Sequence, residues 1–260
     1  MKKILKNSYR TSRSDMACEF IKLKKIKKDD IICVSEIYVD EKRAKAIGKN
    51  KGKYVNLDTI VAYEGLSVFY ERVSDTIKAE LEKFMVGKRV LVVGLGNYEL
   101  GADSLGVKTC SNINVTRNII DSEFSVSAIC PGVIGATGIE SFEVVKGVCD
   151  AVKPETIFVI DSLCAGSVKR LLTSFQISDA GIVPGSGVAN HRMALNESTL
   201  NAKVVSIGVP TVVYASTIIK ESSGVVNERD LVVSPKDIDY MVKDCATIIA
   251  NALNSLFLTQ

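Results

Sequence analysis

The chain has 260 residues, 47% of them hydrophobic and 24% charged, with a net charge of only +3. That is enough apolar material for a sizeable core without metal or disulfide staples, and it excludes both a mini-domain and a disordered polyelectrolyte. The seven cysteines (Cys18, Cys33, Cys110, Cys130, Cys149, Cys164 and Cys245) are odd in number and form no C-x-x-C pair, which excludes a simple disulfide framework or a thiolate zinc site and implies a reducing compartment.

Residues 1–13 are polar and basic without periodicity and read as an extension; they lack the apolar centre of a signal peptide. A lysine run follows, with Lys22, Lys24, Lys25, Lys27 and Lys28, then Lys49, Lys51 and Lys53. Such a run can be a nucleic-acid footprint, but no aromatic rings interleave to stack bases, so a solvated face or a guarded sheet edge is the preferred reading. Residues 31–39 and 54–61 are β-rich around a turn-like stretch at 48–52, predicting a small N-terminal antiparallel feature. Apolar residues at helical spacing predict a helix over 66–84.

Continuous apolar runs then alternate with helical segments. Strands are predicted at 90–95, 125–129, 156–160 and 204–207, with a helix over 139–152. The pattern implies an α/β fold: a mostly parallel twisted sheet with helices on both faces. Its ligands are expected beyond the carboxyl ends of the strands. The last helix is predicted from Ser234 as N-cap, Pro235 at its first position and Asp237 in its first turn, with a broad stripe from Ile238 to Leu256. Cysteines inside apolar runs, such as Cys130 and Cys149, are expected to be small buried hydrophobes. No uninterrupted run of about 18 apolar residues occurs, so no membrane span is expected. The organisation expected is one domain over 1–260, with 11–62 as a β-rich appendage and 63–260 as the α/β core.

Two aspartates stand at predicted strand ends. Gly94-Leu95-Gly96-Asn97 closes its strand, but position 99 is Glu where a dinucleotide fingerprint needs glycine, so no such cofactor is expected. Asp103 follows shortly. Asp161 comes directly after the 156–160 run, where it can be either a helix N-cap or a catalytic group. Two converging carboxylates cannot both ionise cheaply; one keeps a proton and the other accepts one, which suits activation of water and protonation of a leaving amine. Two glycine-rich loops, one with Gly132 and Gly135, the other with Gly185, Ser186 and Gly187, are either tight connections or, with Gly94, Gly96 and Asn97, backbone donors for an oxyanion. The one histidine, His191, lies in a polar stretch and no Ser or Cys sits in a nucleophile elbow, so it reads as a surface residue. A His-rich metal site is thereby excluded, whereas a carboxylate or carboxylate–His site stays open; no metal or cofactor is assigned.

The runs Val92-Val93-Gly94-Leu95-Gly96-Asn97, Asp103-Ser104-Leu105-Gly106, Ala128-Ile129-Cys130-Pro131-Gly132-Val133, Ile160-Asp161-Ser162-Leu163, Gln176-Ile177-Ser178-Asp179-Ala180-Gly181-Ile182 and Pro184-Gly185-Ser186-Gly187 occur in this order. Arg13-Ser14-Asp15-Met16-Ala17 and Ala46-Ile47-Gly48-Lys49 precede them, and Ile207-Gly208-Val209-Pro210 follows. Together they strongly resemble the germination protease family. The resemblance implies an endopeptidase that degrades small acid-soluble, DNA-binding spore proteins during germination, in the cytoplasm of the forespore or spore core. It implies a fold similar to the hydrogenase maturation endopeptidases, a zymogen, and a homotetramer that binds neither membrane nor nucleic acid directly. Asp103 and Asp161 fall where the family's two proposed catalytic aspartates fall. The implied processing point is near Arg10-Thr11, which makes residues 1–10 a propeptide. Three features depart from the family pattern: a short stretch between Gly224 and Val232, Tyr214 where Asp is expected, and Asn118 where His is expected. Two alternatives follow: a metal-dependent endopeptidase using Asp103, Asp161 and His191, or a catalytically impaired relative that binds spore proteins.

Overall fold

A computed structural model describes residues 14–59, 66–183, 193–223 and 231–258. Its strands are β1 (Lys24–Lys28), β2 (Ile32–Val39), β3 (Gly52–Thr59), β4 (Arg89–Gly94), β5 (Ser125–Ile129), β6 (Thr156–Ala165), β7 (Ser174–Ser178), β8 (Lys203–Tyr214) and β9 (Val232–Val233). Among the described residues they form one sheet in the order β1-β2-β3-β7-β8-β6-β4-β5, with β9 on β8. β4, β5, β6 and β8 pair in parallel. The remaining pairs are antiparallel, so the sheet is mixed. The parallel half is the part whose strands are separated by helical crossovers. The small N-terminal β feature is present, and β3 pairs with β7, which hydrogen-bonds it into the main sheet.

The helices are α1 (Glu41–Ile47), α2 (Leu66–Glu82), α3 (Leu105–Cys110), α4 (Ile134–Thr137), α5 (Ser141–Val152), α6 (Glu197–Leu200), α7 (Ala215–Ser223) and α8 (Ile238–Phe257). Side chains alternate across a strand, so a run such as Ile157-Phe158-Val159-Ile160 feeds both faces. Phe158 and Ile160 point to one side, where Val73, Ile77 and Leu81 of α2 and Val242, Ile249 and Leu253 of α8 complete the largest cluster. Ile157 and Val159 point to the other, against Val145 and Cys149 of α5 and Leu200 of α6. Each such fully buried aliphatic side chain contributes about 1.5–3 kcal/mol. A third cluster of Ala17, Ile37, Val39, Tyr54 and Ala180 lies under the N-terminal segment.

Two boundaries differ from the sequence expectation. The last helix begins at Ile238 with Asp237 as its N-cap, not at Ser234. Val232 and Val233 pair with β8, and a turn at Lys236–Asp237 must intervene before the helix can start. Asp161 lies inside β6 rather than after it, because β6 continues beside β8 as far as Ala165. The lysine run is an edge: β1 carries Lys24, Lys25, Lys27 and Lys28 and is exposed throughout, which discourages pairing with another sheet. Cys149 is buried as expected, as are Cys110, Cys164 and Cys245, but Cys130 is exposed because β5 ends one residue earlier. Among the described residues no helix is long and apolar enough to cross a membrane.

Candidate active site

The site forms where β4 leaves the sheet. Gly94–Ile160 is the last β4–β6 pair, and the Leu95 amide still donates to the Ile160 carbonyl at 2.9 Å. The chain then turns away, and Asp161 is the next residue of β6.

Asp103 is brought to this point by a tight turn. It ends a short 3-10 segment, Gly101–Asp103, just ahead of α3. The Asn97 amide donates to both the carbonyl and the Oδ2 of Asp103, each at 3.0 Å. Gly96 has φ +108, and a Cβ there would stand 1.9 Å from the Asp103 carbonyl oxygen. Gly106 is wedged against the strand ends: a Cβ there would lie 2.4 Å from the Leu95 carbonyl oxygen and 2.5 Å from that of Ile160. Close backbone approach is the physical use of glycine here. It presses the Asp103 turn and the start of α3 onto the ends of β4 and β6, while Gly101 abuts Asp239 at the start of α8.

The electrostatics separate the two carboxylates. Asp161 is closely surrounded by protein yet retains partial contact with solvent. Burial first, then the negative charges of Asp103 and Asp15, hold its carboxyl well above the usual carboxylate range, against the single opposing hydrogen bond from the Ser162 amide. Asp103 is also raised by burial, with the Asn97 amide pulling the other way. Asp161 therefore holds its proton more tightly, and Asp103 is the readier acceptor.

Asp15 was assigned no chemistry from the sequence, although it stands in the Arg13–Ala17 run that carries part of the family resemblance. Its amide donates to the Cys164 carbonyl at 2.8 Å and its Oδ2 accepts from the Cys164 amide at 2.9 Å. Three-residue spacing from Asp161 along β6 gave no sequence signal, because the contact joins positions 149 residues apart.

The other candidates fall in different places. Gly132 has φ +75, and the Ser141 hydroxyl donates to its carbonyl at 3.1 Å. Gly135 has open space where a Cβ would stand; both belong to the loop and short helix that follow β5 at the sheet edge. Gly185, Ser186, Gly187, His191, Arg10 and Thr11 lie outside the described residues. Tyr214 is buried at the end of β8, six residues past Gly208, the partner of Asp161; that is about 20 Å of extended chain. Asn118 is exposed in a turn. Among the described residues no three His, Cys, Asp or Glu side chains converge as a metal set would, and His191, which a metal reading needs as third ligand, is not among them.

A family model described as germination protease matches residues 2–227. The chain is similar to the germination protease of Caldanaerobacter subterraneus subsp. tengcongensis, at 37% identity over 83% of this chain and 81% of that one. It is similar to that of Clostridium perfringens, at 34% identity over 87% of this chain and 84% of that one. Among solved structures, the [NiFe] hydrogenase maturation protease HycI from Thermococcus kodakarensis KOD1 aligns with a TM-score of 0.44 at 19% identity, covering 68% of this chain and 98% of that one.

Proposed function

Because the chain belongs to the germination protease family, we propose that it is a spore-germination endopeptidase that cleaves small acid-soluble spore proteins with Asp103 and Asp161 as its acid–base pair. The observation that carries this reading is the placement of Asp161 just past the last β4–β6 pair, with the Asp103 turn pressed against the same strand ends. Asp103, as carboxylate, takes a proton from a water molecule, and the resulting hydroxide adds to the scissile carbonyl carbon. Asp161 gives its proton to the departing amide nitrogen. The C–N bond breaks as the new C–O bond is retained, and the proton on Asp103 returns to Asp161 or to solvent. General acid–base help of this kind contributes about 10²–10⁴-fold to the rate.

The resemblance supports the finer parts of the reading. The protein is made as a zymogen, residues 1–10 are removed near Arg10-Thr11, the active form is a homotetramer, and it works in the cytoplasm of the spore core as a single peptidase domain. On the glycine pattern of the sequence, Gly94, Gly96, Asn97, Gly132, Gly135, Gly185, Ser186 and Gly187 are the proposed oxyanion or substrate-loop residues.

The test is direct. Purified protein, full-length and trimmed to begin at Thr11, is incubated with a small acid-soluble spore protein, and cleavage is mapped by mass spectrometry. Asp103→Asn and Asp161→Asn should each lose about a hundredfold or more in rate while keeping the fold. His191→Ala should be mild. Near-normal turnover by either aspartate variant, or activity lost to a chelator and restored by one metal, would overturn the mechanism. Equal rates for the two chain lengths would overturn the zymogen.

A further inference from the structure

Two side chains outside the aspartate pair, Asp15 and Lys49, tie the N-terminal segment to the strand that carries Asp161. One register row crosses the sheet from Asp161 through Gly208 and Gln176 to Asn56 and Ser35. Directly paired residues share a face, so these side chains line one lane. Residues 15–17 lie across it. The Ala17 amide donates to Gln176 Oε1 at 2.8 Å, and Gln176 Nε2 donates to the Asp15 carbonyl at 3.4 Å. Asp15 bridges both backbone groups of Cys164. Lys49, in the stretch between α1 and β3, places its ammonium 3.6 Å from Asp15 Oδ1 and donates to the Ser14 carbonyl at 2.7 Å. Met16 and Ala17 are fully buried, so the segment is part of the packed structure at this point. Glu19 completes the attachment, accepting from the Gly166 amide at 2.6 Å and lying 3.4 Å from Arg170 Nε.

We propose that the Asp15–Lys49 ion pair is a positioning pair for the peptidase site: it fixes the stretch of β6 that follows Asp161 and so sets where the Asp15 side chain stands relative to it. The proposal rests on the reading of Asp161 as a member of the catalytic pair. The charges that bear on Asp161 are Asp103, from the turn after β4, and Asp15, from the N-terminal segment. Behind Asp15 stand Lys49, Glu19 and Arg170. A negative neighbour favours the protonated form of a carboxylic acid, and a cation that compensates the neighbour weakens that effect. Burial pulls the Lys49 ammonium below its usual range and Asp15 pulls it back, as expected for a cation kept charged by its partner.

Two variants of the full chain act in opposite directions. Asp15→Asn keeps an oxygen for the Cys164 amide but removes the charge, and should lower the titration midpoint of Asp161. Lys49→Met removes one cation that compensates the Asp15 charge and should raise it. The midpoint is read from the side-chain carboxyl ¹³C signal of Asp161, assigned by its absence in Asp161→Asn. In the cleavage assay, Asp15→Asn should lose about tenfold in kcat with KM within about twofold, and the pH limb belonging to Asp161 should move with the midpoint. Opposite shifts in the two variants support the pair; misfolding alone does not produce them. Midpoints unchanged in both, shifted in the same direction, or a failure of both variants to fold would overturn the proposal, the last by making the pair a structural one. Opposite midpoint shifts with an unmoved pH–rate profile would instead sustain the positioning pair and remove Asp161 from catalysis.

Discussion

Gly106 offers the sharpest test of how the Asp103 turn is seated. It is the second residue of α3, and alanine at a helical position is ordinarily better than glycine by at most about 1 kcal/mol. Here the added Cβ would meet three backbone atoms, the Leu95 oxygen at 2.4 Å and the Leu95 nitrogen and Ile160 oxygen at 2.5 Å. None is the end of a flexible side chain, so α3 must move. Overpacking of this kind costs about 1–3 kcal/mol, and an unyielding backbone contact belongs at the upper end. The net expectation for Gly106→Ala is a loss of about 2 kcal/mol, or about 4–8 °C in Tm for a chain of this size. Gly147→Ala is the internal control: it sits mid-way along α5 with nothing within 4 Å of its Cβ position, so the helix preference should act alone and raise Tm by about 2–4 °C. A shift of α3 also displaces Asp103 relative to Asp161, and a misplacement of about 1 Å can cost 10²-fold in rate. Calorimetry of the two variants with a cleavage assay decides the matter. If Gly106→Ala matches Gly147→Ala in stability and the parent in rate, the close seating of the Asp103 turn is not what builds the site.

Asp161→Asn should be more stable than the parent at pH 7, because burial and the charges of Asp103 and Asp15 raise the folded carboxyl and make its ionisation costly. The folded state binds that proton more tightly than the unfolded one, so the parent loses stability as pH rises from the unfolded value of about 3.9 through the raised folded value. The advantage of the variant should therefore vanish below that window, and a Tm difference independent of pH would contradict the assignment. Cys130 should be the first thiol alkylated, since it is exposed and a hydrogen bond from Cys110 pulls it below the usual thiol range. Cys245, pushed up to about 12 by burial, should stay unlabelled in the folded protein. Cys110→Ala should slow labelling of Cys130, as followed by peptide mass spectrometry; equal rates would exclude the hydrogen bond as the cause.

Most of the parallel half of the sheet was legible because β4 and the first part of β6 are buried on both faces and spell continuous apolar runs, as in Ile157-Phe158-Val159-Ile160. β7 was not read as a strand: Ser174-Phe175-Gln176-Ile177-Ser178 alternates, and its polar members are buried beside the N-terminal segment rather than in water. Ser234 and Pro235 have the chemistry of a helix start, but pairing of β9 with β8 overrides it. Asp103 and Asp161 were found by their closeness to strand ends and by the family resemblance. Asp15 was not, since what gives it a part is contact with Cys164, and no local spacing encodes that. Gly94 and Gly96 suggest a tight turn and a close backbone approach from the sequence alone; the structure identifies what approaches, Gly106 at Gly94 and Asp103 at Gly96.

The order in which this architecture can be built follows from the β3–β7 pairing. β1, β2 and β3 pair locally and can form a meander early, but β3 has no further strand beside it until Ser174–Ser178 exists, and the hydrogen bonds between Asp15 and Cys164 wait for β6. On a growing chain, the first strands and the segment that steadies Asp161 must wait through the synthesis of the whole parallel half. Long-range closure of this kind is slow to form and quick to be lost when the chain is truncated. Nascent fragments ending before β6 should therefore carry the Asp103 turn without Asp161, its counterpart in the site.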